Sequence, residues 1–390
     1  MRQVSIIGAG MTTFGEHWDR GFRDLIVEAG LSAVRDAGIS GKQIQALYTG
    51  CMASGRFIGQ EHIGALIADQ LGLNPIPSTR VEAACASGGV ALRNAYHAIA
   101  SGQYDIVAVG GVEKMTEVSV SDASFTLGGA GDQESELFHG ATFPALYALM
   151  ARRHMHDFGT TEEQMASVAV KNHKHAFNNP NAQFRKEITV QQVMDSGMVA
   201  SPLKLLDCSP ITDGASAVIL AESSIAQKLK EQSVTIIGSA QASDTLALAS
   251  RSTLTGLMAT THAMKDALSQ ARLTAQDIQV AEVHDCFTIA EIMAIEDLGF
   301  ISKGMGGKAT EDGLMTYGGK TVINPSGGLK ACGHPVGATG IKQAAEIYWQ
   351  LTGQAGKRQV PGAHVGLSHN VGGSGATVVI HLYKTLEGKR

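Results

Sequence analysis

The sequence predicts an α/β protein built from two related halves. Three observations carry that prediction. Short apolar strands alternate with amphipathic helices from Val4 onward. The order strand, helix, loop, strand then returns in the second half of the chain. Each half also places a reactive side chain where a helix is predicted to begin, Cys85 in the first and His334 in the second.

The elements follow in order. Val4 to Ile7 is a short apolar strand that ends in Gly8-Ala9-Gly10. As a dinucleotide fingerprint this stretch fails, because position 13 is Thr13 and no acidic residue ends a second strand at the expected distance. Asp24 to Ala37 reads as an amphipathic helix, with Leu25, Ala29, Leu31 and Val34 at helical spacing. A loop from Ile39 leads to a second strand near Tyr48. The same sequence of elements recurs as Val234–Ala240, Ala263–Ala271 and Leu273–Val283. Three matched elements in the same order point to duplication.

After its second strand each half continues into a loop, a helix and a strand. In the first half these are the Cys85 loop, a helix to Ala100 and the strand Asp105–Gly111. In the second they are the His334 loop, a helix to Leu351 and the strand Ala363–Ser368. If a pseudo-twofold relates the halves, Cys85 and His334 occupy corresponding loops that face each other. A helix start carries a partial positive charge and free N–H groups, so a cysteine there tends toward thiolate. A nearby imidazole would complete an activated nucleophile.

Between about Glu117 and Pro202 the texture changes. The segment is rich in Met, His and polar residues, has no counterpart in the second half, and reads as a mostly helical insertion. His154/His156 and His173/His175 are two residues apart, so on a helix they diverge and make poor metal pairs. Asp207 to Ala221 returns to small-residue strand texture and belongs with the first half.

Composition sets the bounds. The chain has 390 residues, 44% hydrophobic and 17% charged, ordinary for a globular protein of two or three domains. The formal net charge of -5 gives no basic field for nucleic acid. Basic pieces such as Lys171 to Lys174 are short and read as a solvated face. Five cysteines, Cys51, Cys85, Cys208, Cys286 and Cys332, show no CxxC pair, which argues against a zinc site and for reduced thiols. The start of the chain enters a strand at once, and no apolar run of about 18 residues occurs, so a soluble, cytoplasmic protein without membrane contact is expected.

The motifs taken together resemble one family. They are Cys85 with Ser87-Gly88-Gly89, the run Gly110 to Met115, Asp213-Gly214-Ala215, Asn324 to Gly328, and Gly333-His334-Pro335-Val336-Gly337-Ala338-Thr339-Gly340. They look like the thiolase family over residues 4 to about 383. His284-Asp285-Cys286-Phe287 resembles the motif of the sterol-carrier-protein type and of related bacterial and archaeal acetyl-CoA acetyltransferases.

The resemblance implies a thiolase fold: two βαβαβαββ halves in a five-layer αβαβα sandwich. Residues 1–118 with 204–231 would form the N-terminal domain, 119–203 a loop domain, and 232–390 the C-terminal domain. It implies an acyltransferase that performs a non-decarboxylating Claisen condensation of acyl-CoA with acetyl-CoA, or the reverse thiolysis, through an acyl-Cys85 intermediate. His334 would activate Cys85, His284 would hold the enolate-binding water, and Cys286 would shuttle the α-proton. The usual second cysteine near the C-terminus is missing; the loop from Ser368 places His369 at its expected position. The backbone of Cys85 and of that loop, with Asn370 and Gly373, would bind the oxyanion, and His139 and Phe143 would line the acyl tunnel.

The resemblance also implies substrates but no cofactor and no metal, since CoA thioesters are consumed. It implies a homodimer or homotetramer, with the strand Asp105 to Gly111 resembling the dimer edge. Some relatives with this motif work with a small zinc-containing OB-fold protein, so such a partner is an expectation too. Rival readings are a decarboxylating ketoacyl synthase, a non-catalytic acyl-CoA-binding subunit, and acyl transfer to a non-CoA carbon nucleophile.

Overall fold

The computed structural model describes residues 1–385, so the last five residues of the C-terminal half lie outside the described residues. The first half contributes β1 (Val4–Met11), β2 (Ala46–Gly50), β3 (Ser78–Val81) and β4 (Ile106–Glu113). A two-stranded ribbon follows, β5 (Met198–Ala200) and β6 (Leu203–Lys204), and then β7 (Gly214–Glu222). The second half supplies β8 (Val234–Ser243), β9 (Val280–Glu282), β10 (Val322–Ile323), β11 (Val365–Gly372) and β12 (Thr377–Thr385).

The strand order is β10-β9-β11-β12-β8-β1-β7-β4-β2-β3. From the centre outward, each half repeats one pattern, so β1, β7, β4, β2, β3 correspond to β8, β12, β11, β9, β10. The seam is the antiparallel contact of β1 with β8, where Ser5 faces Thr235 and Ile6 faces Val234. Within each half the sheet is mixed: β2 runs parallel to β3 and β4, and β4 runs antiparallel to β7. These strands are buried on both faces, as in β1 and β11, which explains their near-continuous apolar runs.

The helices Phe22–Ala37 and Met258–Ala271 cover equivalent outer faces. The first packs β1 through Leu25, Ile26, Ala29 and Ala33, while Leu31 lies outside at 41% exposure. The helices Ser87–Ala100 and Thr339–Leu351 pack against each other between the halves. Only small residues permit that contact. A Cβ on Gly340 would lie 2.2 Å from the Gly89 nitrogen, and one on Gly88 would lie 2.8 Å from the Gly337 carbonyl oxygen.

Two expectations need correction here. The strand containing Asp105 to Gly111 is not a sheet edge. β4 is enclosed between β2 and β7, and the outer strand of that half is β3. Nor is Lys171 part of a solvated face. It is buried, with its ammonium 3.0 Å from Glu291, because the helix Glu162–Ala176 turns its inner side toward the second half. That helix, with Val120–Gly128, Phe143–Phe158, Val190–Met194 and the β5–β6 ribbon, stands outside the ten-stranded sheet.

Candidate active site

The two helix starts bring Cys85 and His334 together. The sulfur of Cys85 and one ring nitrogen each of His284 and His334 lie within 4.8 Å of one another. The two imidazoles meet edge to face, with centroids 5.1 Å apart. Cys85 and His334 open on a cavity of about 220 Å³ that Cys286, Tyr147, Phe143 and Gly373 also help to line.

Cys85 sits just before its helix, which begins at Ser87. The loop is tied by local bonds: the Ala83 N–H donates to the Ser87 hydroxyl at 2.9 Å, and that hydroxyl donates to the Ala84 carbonyl. Ala84 adopts a positive φ of 51°, an unfavourable conformation for a residue with a side chain. The thiol lies against the backbone N–H groups of Gly373 and of Cys85 itself, both of which favour its ionised form. Burial nevertheless wins and pushes the Cys85 thiol up to about 12. Burial thus opposes the drift toward thiolate that a helix start favours. A helix dipole supplies about 0.3–1 kcal/mol, whereas a rise from 9 to about 12 corresponds to roughly 4 kcal/mol. The resting pair is a thiol beside a neutral imidazole, since burial also lowers His334 to about 3.

The hydrogen bonds fix which ring nitrogen of His334 is bare. Its Nδ1 lies 2.7 Å from the Thr339 hydroxyl, and that hydroxyl donates its single proton to the Pro335 carbonyl at 3.1 Å. Thr339 must then accept from Nδ1–H, so Nε2 carries the free lone pair. The backbone N–H of His334 donates to the Thr212 hydroxyl at 3.0 Å. Behind the ring, the buried Lys342 pairs with Glu282 at 2.7 Å and with the Ser326 hydroxyl.

His284 ends the stretch after β9. Asn370 holds it: the Asn370 Nδ2 donates to the Cys85 carbonyl at 2.9 Å and reaches His284 Nδ1 at 3.3 Å. Desolvation, with the neighbouring His334, holds His284 well below the ordinary histidine value. Its Nε2 is buried with no hydrogen-bond partner among the described residues. Asp285 does not face the cavity. It accepts from the N–H groups of Leu329 and Lys330 and from Asn172, anchoring the short helix that precedes His334.

Cys286 is buried against the Tyr147 hydroxyl, and desolvation pushes its thiol well above the ordinary value. Tyr147 comes from the helix Phe143–Phe158, donates to the Gly373 carbonyl at 3.1 Å, and stacks on Phe287 at 4.6 Å between centroids. Gly373 takes φ 61°, in the left-handed region that favours glycine. Phe143 lines the cavity, whereas His139 is exposed, meets Phe138 edge to face, and is absent from the cavity wall.

The side chain of β11 that turns toward Cys85 is Asn370, not His369. Neighbours on a strand point to opposite faces. His369 lies behind the site, where its Nδ1 accepts the backbone N–H of His284 at 3.4 Å and its Nε2 meets the Thr260 hydroxyl at 2.9 Å. Sequence reasoning missed Thr339, Thr212 and Tyr147. Thr339 lies within the Gly-His-Pro run, and its place at the start of the helix that follows the histidine could have marked it. Tyr147 carries no local signal.

The fold and this Cys–His pairing are those of an acyl-transferring enzyme with a thiol nucleophile. The chain belongs to the thiolase family: residues 4–224 match the thiolase N-terminal domain and residues 240–385 match the thiolase C-terminal domain-like model. It is 57% identical to the acetyl-CoA acetyltransferase of Methanothermobacter thermautotrophicus, covering 98% of this chain and 100% of that protein. It is 38% identical to human sterol carrier protein 2, covering 98% of this chain and 72% of that one. Among solved structures, the "Ltp2-ChsH2(DUF35) aldolase" superposes with a TM-score of 0.84 at 26% identity, covering 97% of each chain.

Proposed function

We propose that the chain interconverts two acyl-CoA molecules with a 3-ketoacyl-CoA and free CoA, acetoacetyl-CoA being the simplest product, through an acyl-Cys85 intermediate. The observation that carries this reading is the His334 ring beside the Cys85 thiol, with Nδ1 engaged by Thr339 and Nε2 left bare. His334 takes the thiol proton as the sulfur attacks the thioester. The thioester bond to CoA breaks, and the proton leaves with the CoA thiolate. The N–H groups of Cys85 and Gly373 stabilise the tetrahedral oxyanion.

In the second half-reaction, neutral His334 takes the proton of the Cys286 thiol as that sulfur takes the α-proton of acetyl-CoA, and the proton held by His334 goes to the Cys85 sulfur when the acyl bond to it breaks. His284 presents Nε2–H toward the enolate oxygen or its water. The enolate carbon attacks the acyl carbonyl, and the bond to Cys85 breaks. CoA thioesters are substrates, and no step needs a cofactor. A decarboxylating synthase would not need Cys286 beside the nucleophile, and a binding subunit would not need the nucleophile.

A cytoplasmic location belongs to this reading, supported by five free cysteines. No described helix is long and apolar enough to cross a membrane. A dimer or tetramer belongs to it as well, with the outer side of β3 as the edge offered to a second copy. That the aldolase neighbour joins Ltp2 to ChsH2(DUF35) supports a partner protein here, for which the small OB-fold protein of the family resemblance is the candidate. The domain division at 118/119, 203/204 and 231/232 is part of the same proposal.

The test is intact-protein mass after incubation with acetyl-CoA, run beside an acetoacetyl-CoA thiolysis assay. A mass gain of one acetyl group, lost in Cys85→Ala together with thiolysis, is the expected result. Thiolysis that survives in Cys85→Ala would overturn the reading, as would release of CO₂ from malonyl-CoA without thiolysis.

A further inference from the structure

The wiring of the site has a meaning separate from acyl transfer. A thiol and two imidazoles within 4.8 Å of one another, at the edge of a cavity, form the ligand set of a zinc site with an open position. Ligand atoms around zinc stand about 3.3–3.7 Å apart, as bond lengths of about 2.0–2.3 Å require, so a small inward shift of three side chains would complete it. The three ligands come from loops far apart in the sequence, which is why cysteine spacing gives no sign of them.

Metal capture also requires a lone pair from each imidazole. His334 has one at Nε2. The lone pair of His284 is at Nδ1, where the Asn370 amide occupies it. The Gly89 N–H donates to Asn370 Oδ1 at 3.1 Å, so the amide cannot be turned around without setting two donors against each other. Its Nδ2 therefore faces Cys85 O and His284 Nδ1. Nδ1 must accept, and the ring proton sits on Nε2, which is buried without a partner.

The geometry points to a latent site for borderline-soft divalent cations such as Zn²⁺, formed by Cys85, His284 and His334, which Asn370 closes by fixing the His284 tautomer. Asn370 is thus a positioning residue that keeps a nucleophilic cysteine from becoming a metal ligand. On binding, a metal–sulfur bond would form and the thiol proton would leave to solvent; no redox change is involved. Replacing Asn370 frees His284 to move its proton to Nδ1. In Asn370→Asp the carboxylate would accept from Nδ1–H, while Asn370→Ala simply removes the opposing donor.

The experiment titrates the full chain with Co²⁺ and follows the thiolate-to-metal charge-transfer band, then displaces Co²⁺ with Zn²⁺. Asn370→Asp and Asn370→Ala should bind at least tenfold more tightly than wild type, and His284→Ala added to either should abolish the gain. Equal affinity in wild type and both variants would overturn the proposal, as would a gain that survives loss of His284. A readout on the unmodified protein is independent of how the variants fold. Nitrogen chemical shifts of His284 should report protonated Nε2 and bare Nδ1, and the opposite tautomer would refute the mechanism. None of these readouts depends on acyl transfer, so they stand or fall apart from the thiolase reaction.

Discussion

His334 Nδ1 donates to the hydroxyl of Thr339, five residues on at the start of the next helix, at 2.7 Å. Thr339→Val removes the acceptor and leaves the His334 tautomer undefined. Acetylation of Cys85, followed as intact mass against time, should slow roughly tenfold or more, within the range for a mispositioned acid–base group. Thr339→Ser should restore most of the rate. A valine variant that acetylates at the normal rate would show that Thr339 has no part in setting the base.

Cys286 and Tyr147 should separate the two half-reactions. Cys286→Ala should still accept an acetyl group but lose thiolysis by roughly a hundredfold or more. Tyr147→Phe keeps the ring against Phe287 and loses the bond to Gly373, so its thiolysis rate should lie between that variant and wild type. If Cys286→Ala keeps near-normal thiolysis while His369→Ala loses it, the proton shuttle belongs to β11 instead.

Acid should destabilise the protein early. Burial lowers His334, His369 and His175 to about 3, and His173 and His381 to about 4. In the unfolded chain these rings take protons near 6.5. Between those limits the unfolded state binds more protons, so stability falls as pH falls from about 6.5 toward 3. The urea midpoint should drop clearly between pH 7 and pH 5. An unchanged midpoint would mean that these rings are charged in the native state.

Lys330 should be a stability liability with a pH signature. Its ammonium is buried above the Phe184 ring, and burial lowers it from 10.5 to about 8. That gap corresponds to roughly 3 kcal/mol. Below about 8 the lysine is charged in both states and the full cost is present. Between about 8 and 10.5 the unfolded state binds more protons, so stability rises with pH. Lys330→Met should therefore raise Tm most at neutral pH, with a gain that shrinks toward pH 10. A loss of Tm at pH 7 would show that the charge serves Asp207 and Asp285 more than it costs.

The duplication and the meeting of Cys85 with His334 were legible because they rest on period, order and glycine-rich turns, which are properties of the chain itself. The roles of neighbours on β11 were not. Whether His369 or Asn370 faces the thiol depends on the phase of a strand buried on both sides, where alternation leaves no apolar–polar mark. The effect of burial on the Cys85 thiol was not legible, because a helix start is visible in sequence and desolvation is not. β4 was expected as an edge only through its resemblance to the family's dimer strand, and its glycines in fact admit close packing: a Cβ on Gly111 would meet the Gly337 oxygen at 2.4 Å. Lys171 looked solvated because its partner, Glu291, lies far along the chain.

The contact between the two glycine-bearing helix starts also sets when the enzyme can become active. Asn370 reaches back 285 positions to the Cys85 carbonyl and 281 to the Gly89 nitrogen. During synthesis, the nucleophile leaves the ribosome long before its base, its amide clamp or its oxyanion loop exists. A nascent chain thus carries an ordinary cysteine, and reactivity arrives only when the last two strands close the second half over it.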